Sequence, residues 1–218
     1  QMKCGIMDQF SVALGKADHA ILLDCATLEY DYIPLYLGDY SLLILDSKKP
    51  RSLIHSKYNE RRAESEEAYR IISTTQSIKN LCGADFSMLE LIKDETVYRR
   101  ARHVITEQLR VKESVKALQF NDLSTFGRLM NASHASMKND YEITGLEMDT
   151  LAETAQQIKG CLGARMTGGG FAGCAIALVH KTAIEEFTKQ VSQKYFEVTG
   201  RQCEIYNSQI GDGVRQVG

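Results

Sequence analysis

The chain lacks three features that would each indicate a particular class of protein. Its formal net charge is only −2, so it offers no basic surface for nucleic acid or for an anionic membrane. No stretch approaches the roughly 18 consecutive apolar residues of a membrane span, and the start carries no signal-peptide pattern. We therefore predict a cytoplasmic protein that binds neither nucleic acid nor membrane.

Paired metal-ligand and disulfide motifs are also missing. The six cysteines are scattered without a C-x-x-C pair, which predicts reduced thiols and no disulfide framework. The histidines other than His134 have no ligand-like spacing with cysteines or carboxylates, so we predict no structural zinc site. His134 lies on an apolar helical stripe, where it could be a hydrogen-bonded core residue or a catalytic one. The stripe favours the core role.

Proline is scarce, and its two positions help to divide the chain. Pro34 and Pro50 both lie outside the long helical patterns. Short apolar runs at 20–23 and 41–45 are typical of buried strands. The charged segment 48–51 then breaks the pattern, so we predict a boundary near residue 50. The chain starts at Gln1 with informative sequence at once, and we expect it to be the carboxyl-terminal part of a longer protein.

Helical spacing of apolar residues dominates after residue 56, with strands between the helices. A chain of 218 residues can hold one large domain or two small ones. The pattern predicts an α+β fold with helices packed on a small sheet. The predicted helices are 6–16, 57–80, 97–109, 123–137 (behind a cap at Asn121 or Asp122), 147–159 and 184–198, and the later strands are 174–179 and 203–206.

A glycine-rich turn precedes the strand at 174–179. Four of the six residues from 168 to 173 are glycine, and glycine adopts positive φ and allows close approach of a ligand. The turn could be a tight connection into the strand, or its N–H groups could bind an anion. It is not a P-loop, because no G-K-[ST] follows. Any role with phosphate must come from backbone amides.

Asp8 and Tyr58 are two further candidates for chemistry. Asp8 could accept a proton from a substrate hydroxyl, or it could interact with N–H groups at the start of a helix. Tyr58 stands near the start of a long helix and could donate a hydrogen bond to a ligand, or pack half-buried at a domain junction. We expect Arg61 and Arg62 beside it to be solvated or paired with nearby glutamates.

Together these segments resemble the galactokinase branch of the GHMP small-molecule kinase superfamily, over nearly the whole chain and in the right order. The glycine turn alone would indicate only the superfamily, while the first segment and the tyrosine–arginine segment narrow the resemblance. The matching segments are CGIMDQF at 4–10, HAILLDC at 19–25, SKYNERRAESEEA at 56–68, FGRLMNASHASMKNDYEI at 126–143, LGARMTGGGFAGCAIALV at 162–179 and IGDGVR at 210–215.

The resemblance implies ATP-dependent phosphorylation of the C1 hydroxyl of α-D-galactose, with ATP and Mg²⁺ as cofactors. It implies that Asp8 is the catalytic aspartate, that Cys4 and Gly5 line the sugar pocket, and that Tyr58 binds a sugar hydroxyl. It also implies that Thr167, Gly168, Gly169 and Gly170 close the site near the phosphates. Ala172 departs from the family pattern, which usually has glycine there.

The resemblance also shows what this chain lacks. The family's amino-terminal sugar signature and its Gly/Ser-rich nucleotide loop are both absent, so most residues that bind ATP and Mg²⁺ lie outside the chain. We therefore expect the chain alone to be catalytically inactive, although its parent is an enzyme. Two alternatives stay open: a non-catalytic galactose- and ATP-sensing regulator, and a kinase for N-acetylgalactosamine.

Members of this family have two lobes, and the boundary near residue 50 would separate them. Residues 1–50 would be the end of the amino-terminal lobe and carry Asp8, and residues 51–218 would be the carboxyl-terminal domain. We expect the strands at 20–23 and 41–45 to lack sheet partners in this chain. Exposed strand edges pair readily with other chains, so we predict self-association.

Overall fold

The computed structural model describes residues 5–50 and 54–215, with side chains from residue 57 onward in the second range. It confirms the predicted α+β fold. The main elements are α1 (Met7–Leu14), β1 (His19–Leu23), β2 (Tyr30–Pro34), β3 (Tyr40–Asp46), α2 (Ile54–Ser73), α3 (Glu95–Gln119), α4 (Leu123–Ser136), α5 (Leu146–Gln157), β4 (Cys161–Met166), β5 (Cys174–His180), α6 (Ile184–Thr199) and β6 (Glu204–Ser208). Within the described ranges, no helix combines the length and the apolar character that crossing a bilayer requires.

Two sheets organise the strands. β1 and β2 form an antiparallel pair, and the other four strands form a sheet in the order β4-β5-β3-β6. β3 pairs antiparallel with β5 on one side and with β6 on the other. The expectation that 20–23 and 41–45 would lack sheet partners is therefore wrong, because later segments of the chain supply them. Self-association and the boundary at residue 50 remain predictions, although β3 precedes that boundary and lies inside the sheet.

The main core lies between the four-stranded sheet and two helices, α5 and α6. Alternate residues of β3 point inward, and Leu43 and Leu45 are fully buried. α6 presents Phe187, Val191 and Tyr195 at helical spacing, and all three are fully buried. Burial of one such side chain contributes about 1.5–3 kcal/mol. The predicted apolar stripe of this helix is confirmed, as is its end at Gly200, which adopts a left-handed conformation.

α4 covers the outer edge of β4 and satisfies its backbone. The N–H groups of Ala164 and Met166 point away from β5. Without α4 they would have no hydrogen-bond acceptor. Asn131 Oδ1 accepts the first at 2.8 Å, and His134 Nδ1 accepts the second at 3.2 Å. Because His134 is only 1% exposed, the prediction of a hydrogen-bonded core histidine is confirmed. Both residues hold the strand that leads into the glycine turn.

Several element limits differ from the predicted ones. α2 ends at Ser73 and not at residue 80, because the hydroxyls of Ser73 and Thr74 donate to carbonyls one turn back. α3 is longer than predicted and runs to Gln119. The cap of α4 is Asp122, whose carboxylate accepts the N–H of Thr125 at 2.9 Å.

Candidate functional site

A cleft of about 490 Å³ lies between α2, the segment after α4 and the glycine turn. Tyr58 and two glycines of the turn, Gly168 and Gly169, are part of its wall. The structure thus brings together two predicted site elements that are more than 100 residues apart in sequence. The other residues of the wall are Arg61, Arg62, Ser65, Glu66, Tyr69, Lys79, Asn80, Leu81, Tyr141, Ile143 and Phe171.

The glycine turn depends on left-handed backbone and on close packing. Gly168 and Gly170 have φ of 82° and 84°, values that side chains disfavour. A Cβ on Gly170 would lie 2.4 Å from the carbonyl oxygen of Ile143, so only glycine fits. The same carbonyl accepts the N–H of Phe171 at 2.7 Å. The position of the turn is therefore fixed by Ile143.

Ala172 occupies its place in the turn without backbone strain. It is 5% exposed, and it is not among the described residues with positive φ. A residue with negative φ carries a methyl group at no conformational cost. The departure from the family's usual glycine at this position therefore does not prevent the turn from forming.

Aromatic and cationic side chains flank the turn. The ring of Tyr58 lies 3.8 Å from the place where a Cβ on Gly169 would be. Lys57 holds its ammonium 5.3 Å from the centre of the Phe171 ring, a cation–π contact. The turn therefore has a phenol on one side and a positive charge nearby. Both features suit a polar, anionic ligand.

Asp8 lies in the first turn of α1, and its side chain is exposed. The helix is held at its other end by the closing segment of the chain. The N–H of Gly213 donates to the Gly15 carbonyl at 2.7 Å, and the N–H of Val214 donates to that of Val12 at 2.8 Å. Asp212 accepts the N–H of Ala17 at 2.9 Å. The motif at 210–215 therefore positions the helix that carries Asp8.

The other predicted site residues do not all lie at the cleft. Asp8 and Gly5 do not line the cleft that contains Tyr58, and Gly5 has open space where a Cβ would be. Thr167 and Gly170 belong to the turn, and the N–H of Thr167 donates to the Cys174 carbonyl at 3.0 Å. Cys4 lies outside the described residues. The roles given to all of these residues stay predictions.

Sequence reasoning missed an ionic cluster behind the cleft. Arg100 is 1% exposed and donates to Glu64, Glu142 and the Asp140 carbonyl, each at 2.6 Å. Burial alone would lower the pKa of Arg100, but hydrogen bonds to Glu64 and Glu142 raise it above its usual value. Arg61 joins the cluster through Glu64 at 3.2 Å, which confirms its predicted pairing. Nothing in the sequence distinguishes Arg100 from its neighbours Arg99 and Arg102.

His103 lies beside this cluster, and its titration makes the free energy of unfolding depend on pH. Its ring stacks on Tyr141 at 4.5 Å between centroids, and its Nδ1 lies 2.9 Å from Ser136 Oγ. Burial lowers the pKa of His103 from its usual 6.5 to about 4. Nearby charges modify that pKa in both directions: Glu107 and Asp140 raise it, and Arg110 and Arg165 lower it.

We predict that the free energy of unfolding falls as pH decreases from about 6.5 to about 4. In that window the unfolded chain binds a proton at His103 and the folded chain does not. A shift of this size corresponds to a total loss on the order of 3 kcal/mol. Urea unfolding of this chain at several pH values measures the slope. The variant His103→Gln, which does not titrate, should show a flatter profile, and an unchanged slope would refute the assignment.

One group of potential metal ligands does not fit Mg²⁺. His134, Asp149 and Glu153 lie within reach of a common point. Because His134 Nδ1 accepts a backbone N–H, its Nε2 must carry the proton, and that nitrogen faces Asp149 at 3.4 Å. Lys138 is bound to Glu153 at 2.6 Å. A protonated nitrogen and an ammonium group leave no place for Mg²⁺, which prefers oxygen ligands.

Comparison with known proteins relates this geometry to one group of enzymes. Residues 114–197 match the family model described as GHMP kinases C terminal. The galactokinase of Staphylococcus carnosus is 52% identical over 217 residues, which are 98% of this chain and 56% of that relative. The galactokinase of Lactococcus lactis subsp. lactis is 51% identical over 213 residues, 96% of this chain and 53% of the relative. The chain spans about half the length of the curated relatives it matches.

Solved structures give the same result. The crystal structure of Lactococcus lactis galactokinase complexed with galactose matches with a TM-score of 0.93 and 49% identity, over 97% of this chain and 56% of that one. The L. major mevalonate kinase in complex with R-mevalonate matches with a TM-score of 0.55 and 17% identity, over 90% of this chain and 50% of that one. The second match shows a shared fold alone.

Proposed function

We propose that the chain is the carboxyl-terminal part of a galactokinase, from the match of residues 114–197 to the family model described as GHMP kinases C terminal and from the similarity to galactokinases over nearly the whole chain. The parent enzyme would transfer the γ-phosphoryl group of ATP to the C1 hydroxyl of α-D-galactose. One observation supports this proposal above the others: the cleft that joins Tyr58 to the glycine turn occurs in a chain with 49% identity to a galactose-bound galactokinase.

The proposed roles follow from the chemistry of each group. Asp8 would hold the C1 hydroxyl in line and accept its proton, because phosphoryl transfer asks mainly for positioning and charge stabilisation, and a base of modest strength can suffice. Tyr58 would donate a hydrogen bond to a sugar hydroxyl. Cys4 and Gly5 would line the sugar pocket, with Gly5 allowing the sugar to approach the backbone.

The glycine turn would bind the phosphate groups that take part in the reaction. Gly168 and Gly170 have positive φ on either side of Gly169, a backbone pattern that can direct successive N–H groups towards an anion. Thr167 would close the turn against the sugar. These groups are N–H and O–H donors, so they suit phosphate oxygens and not Mg²⁺. Bound ATP would supply the phosphoryl group, and Mg²⁺ would offset its negative charge.

The parent's kinase activity is tested by sugar-dependent release of ADP. The complete reading frame is assayed with galactose, N-acetylgalactosamine, glucose and mevalonate, beside the present chain. We expect turnover with galactose alone, and none from the present chain, which lacks the nucleotide loop. Turnover with N-acetylgalactosamine alone would replace the proposed substrate. If the parent protein binds sugar and ATP but shows no turnover, the proposed kinase activity is refuted and a sensing regulator is indicated.

A further inference from the structure

We propose that Glu142, held by Arg100, is a positioning residue that sets the glycine turn at its working place in the cleft. Its effect on catalysis rests on the proposed function, but its effect on the turn does not. Neither residue lines the cleft, but Ile143, which follows Glu142 in the chain, does, and the influence on the turn would pass through it.

Glu142 has a conformation that needs external support. Its φ and ψ are 53° and 51°, the left-handed region in which residues other than glycine are strained. Its carboxylate accepts hydrogen bonds from Arg99 and Arg100, each at 2.6 Å, and pairs with Arg61 at 3.4 Å. Three cations from two helices therefore hold one strained residue in place.

Arg100 gives this support a fixed origin. Its guanidinium is buried and also binds Glu64 and the Asp140 carbonyl, so it cannot change rotamer without losing several hydrogen bonds. The hydrogen bonds from Arg100 and Arg99 lower the pKa of Glu142 to about 2. The carboxylate is therefore ionised at any pH at which the enzyme would work.

The residues on both sides of Glu142 connect it to the cleft. Ile143 accepts the N–H of Phe171 and leaves no space for a Cβ on Gly170. Tyr141 lines the cleft and shares a 3.1 Å hydrogen bond with Ser65 on α2. A change in the backbone at Glu142 would therefore move the carbonyl of Ile143, and the turn that rests on it would move as well.

Movement of the turn should affect the chemical step more than sugar binding. The N–H groups of the turn would stabilise charge on the transferring phosphoryl group, which develops in the transition state. Misplacement by about 1 Å can lower a rate on the order of 100-fold. We expect Glu142→Gln to lower kcat roughly 10- to 100-fold and to change the KM for galactose by less than about threefold.

The test compares two variants of the parent reading frame with a control. Glu142→Gln keeps the shape of the side chain and removes its charge. Glu142→Gly removes the carboxylate but relieves the backbone strain, so it should fold at least as well as the Gln variant. Glu67→Gln is the matched control, because it removes an exposed carboxylate of α2 whose ion pair, among the described residues, is with a neighbour on that helix, Arg70.

Two readouts separate the positioning role from the proposed function. The first is steady-state kinetics, and the second is hydrogen exchange of the peptide that contains residues 167–173. We expect both Glu142 variants to lower kcat and to accelerate exchange, and the control to change neither. If Glu142→Gly retains the parent's kcat and exchange, positioning is refuted. If the parent has no kinase activity, the proposed function fails, and unchanged exchange in the Gln variant would still refute positioning.

Discussion

Replacement of Gly163 by alanine is expected to cost roughly 4 kcal/mol of unfolding free energy, more than the 1–3 kcal/mol typical of an overpacked core. A Cβ on this glycine would lie 2.1 Å from the carbonyl oxygen of Gly127 and 2.6 Å from its Cα. These are backbone atoms of α4, so no side-chain rotation can relieve the clash. α4 would have to move away from β4, and the hydrogen bond from Ala164 to Asn131 would break.

Equilibrium unfolding in urea measures this loss directly. A domain is stable by about 5–15 kcal/mol, so a loss of roughly 4 kcal/mol would leave about 1–11 kcal/mol, and the variant should unfold at a much lower urea concentration. Gly83→Ala is the matched control, because nothing lies within 4 Å of its would-be Cβ and its φ is not positive. It should unfold within about 0.5 kcal/mol of the parent sequence. A Gly163→Ala chain as stable as the control would show that α4 and β4 are not packed this closely.

Features with a local physical cause could be predicted from the sequence. Apolar residues at helical spacing gave α6, and the carboxylate of Asp122 gave the start of α4. The run from 174 to 179 is apolar because β5 is a central strand with buried residues on both faces. In each case a few neighbouring residues carry the whole signal.

Features that depend on distant partners could not be predicted in this way. β4 was missed because Gly163 and Arg165 interrupt its apolar pattern, and the structure explains both. The glycine admits α4, and the side chain of Arg165 binds Glu107 at 3.3 Å. Asn131 and His134 could be placed on a helix, but not at the edge of a strand 30 residues later.

In the candidate site, too, some residues could be predicted from the sequence and others could not. Tyr58 and the glycine turn were chosen for their chemistry, and the cleft joins them. Glu142 and Arg100 were not chosen, because charged residues are usually solvated and the sequence does not show which of them are buried. Their importance appears only when α3 places the arginine beneath the left-handed residue.

In the proposed parent galactokinase, replacement of Asp8 by asparagine is expected to lower kcat about 1,000-fold, within the 10²–10⁴ range of general-base catalysis. Asparagine has nearly the same shape as aspartate but cannot accept the proton of the C1 hydroxyl. Asp8 is exposed in the first turn of α1 and is not part of the buried core, so the change should not destabilise the fold. The KM for galactose should change little, because sugar contacts remain.

The most direct test of the whole account is therefore galactose-dependent ADP release by the parent enzyme and by its Asp8→Asn variant, at saturating ATP and galactose. Asp31→Asn, which removes an exposed carboxylate of β2, serves as the control and should retain full turnover. We expect turnover with galactose to fall about 1,000-fold in the Asp8 variant only. A variant that still phosphorylates galactose at the parental rate would contradict the assignment of Asp8 as the catalytic base.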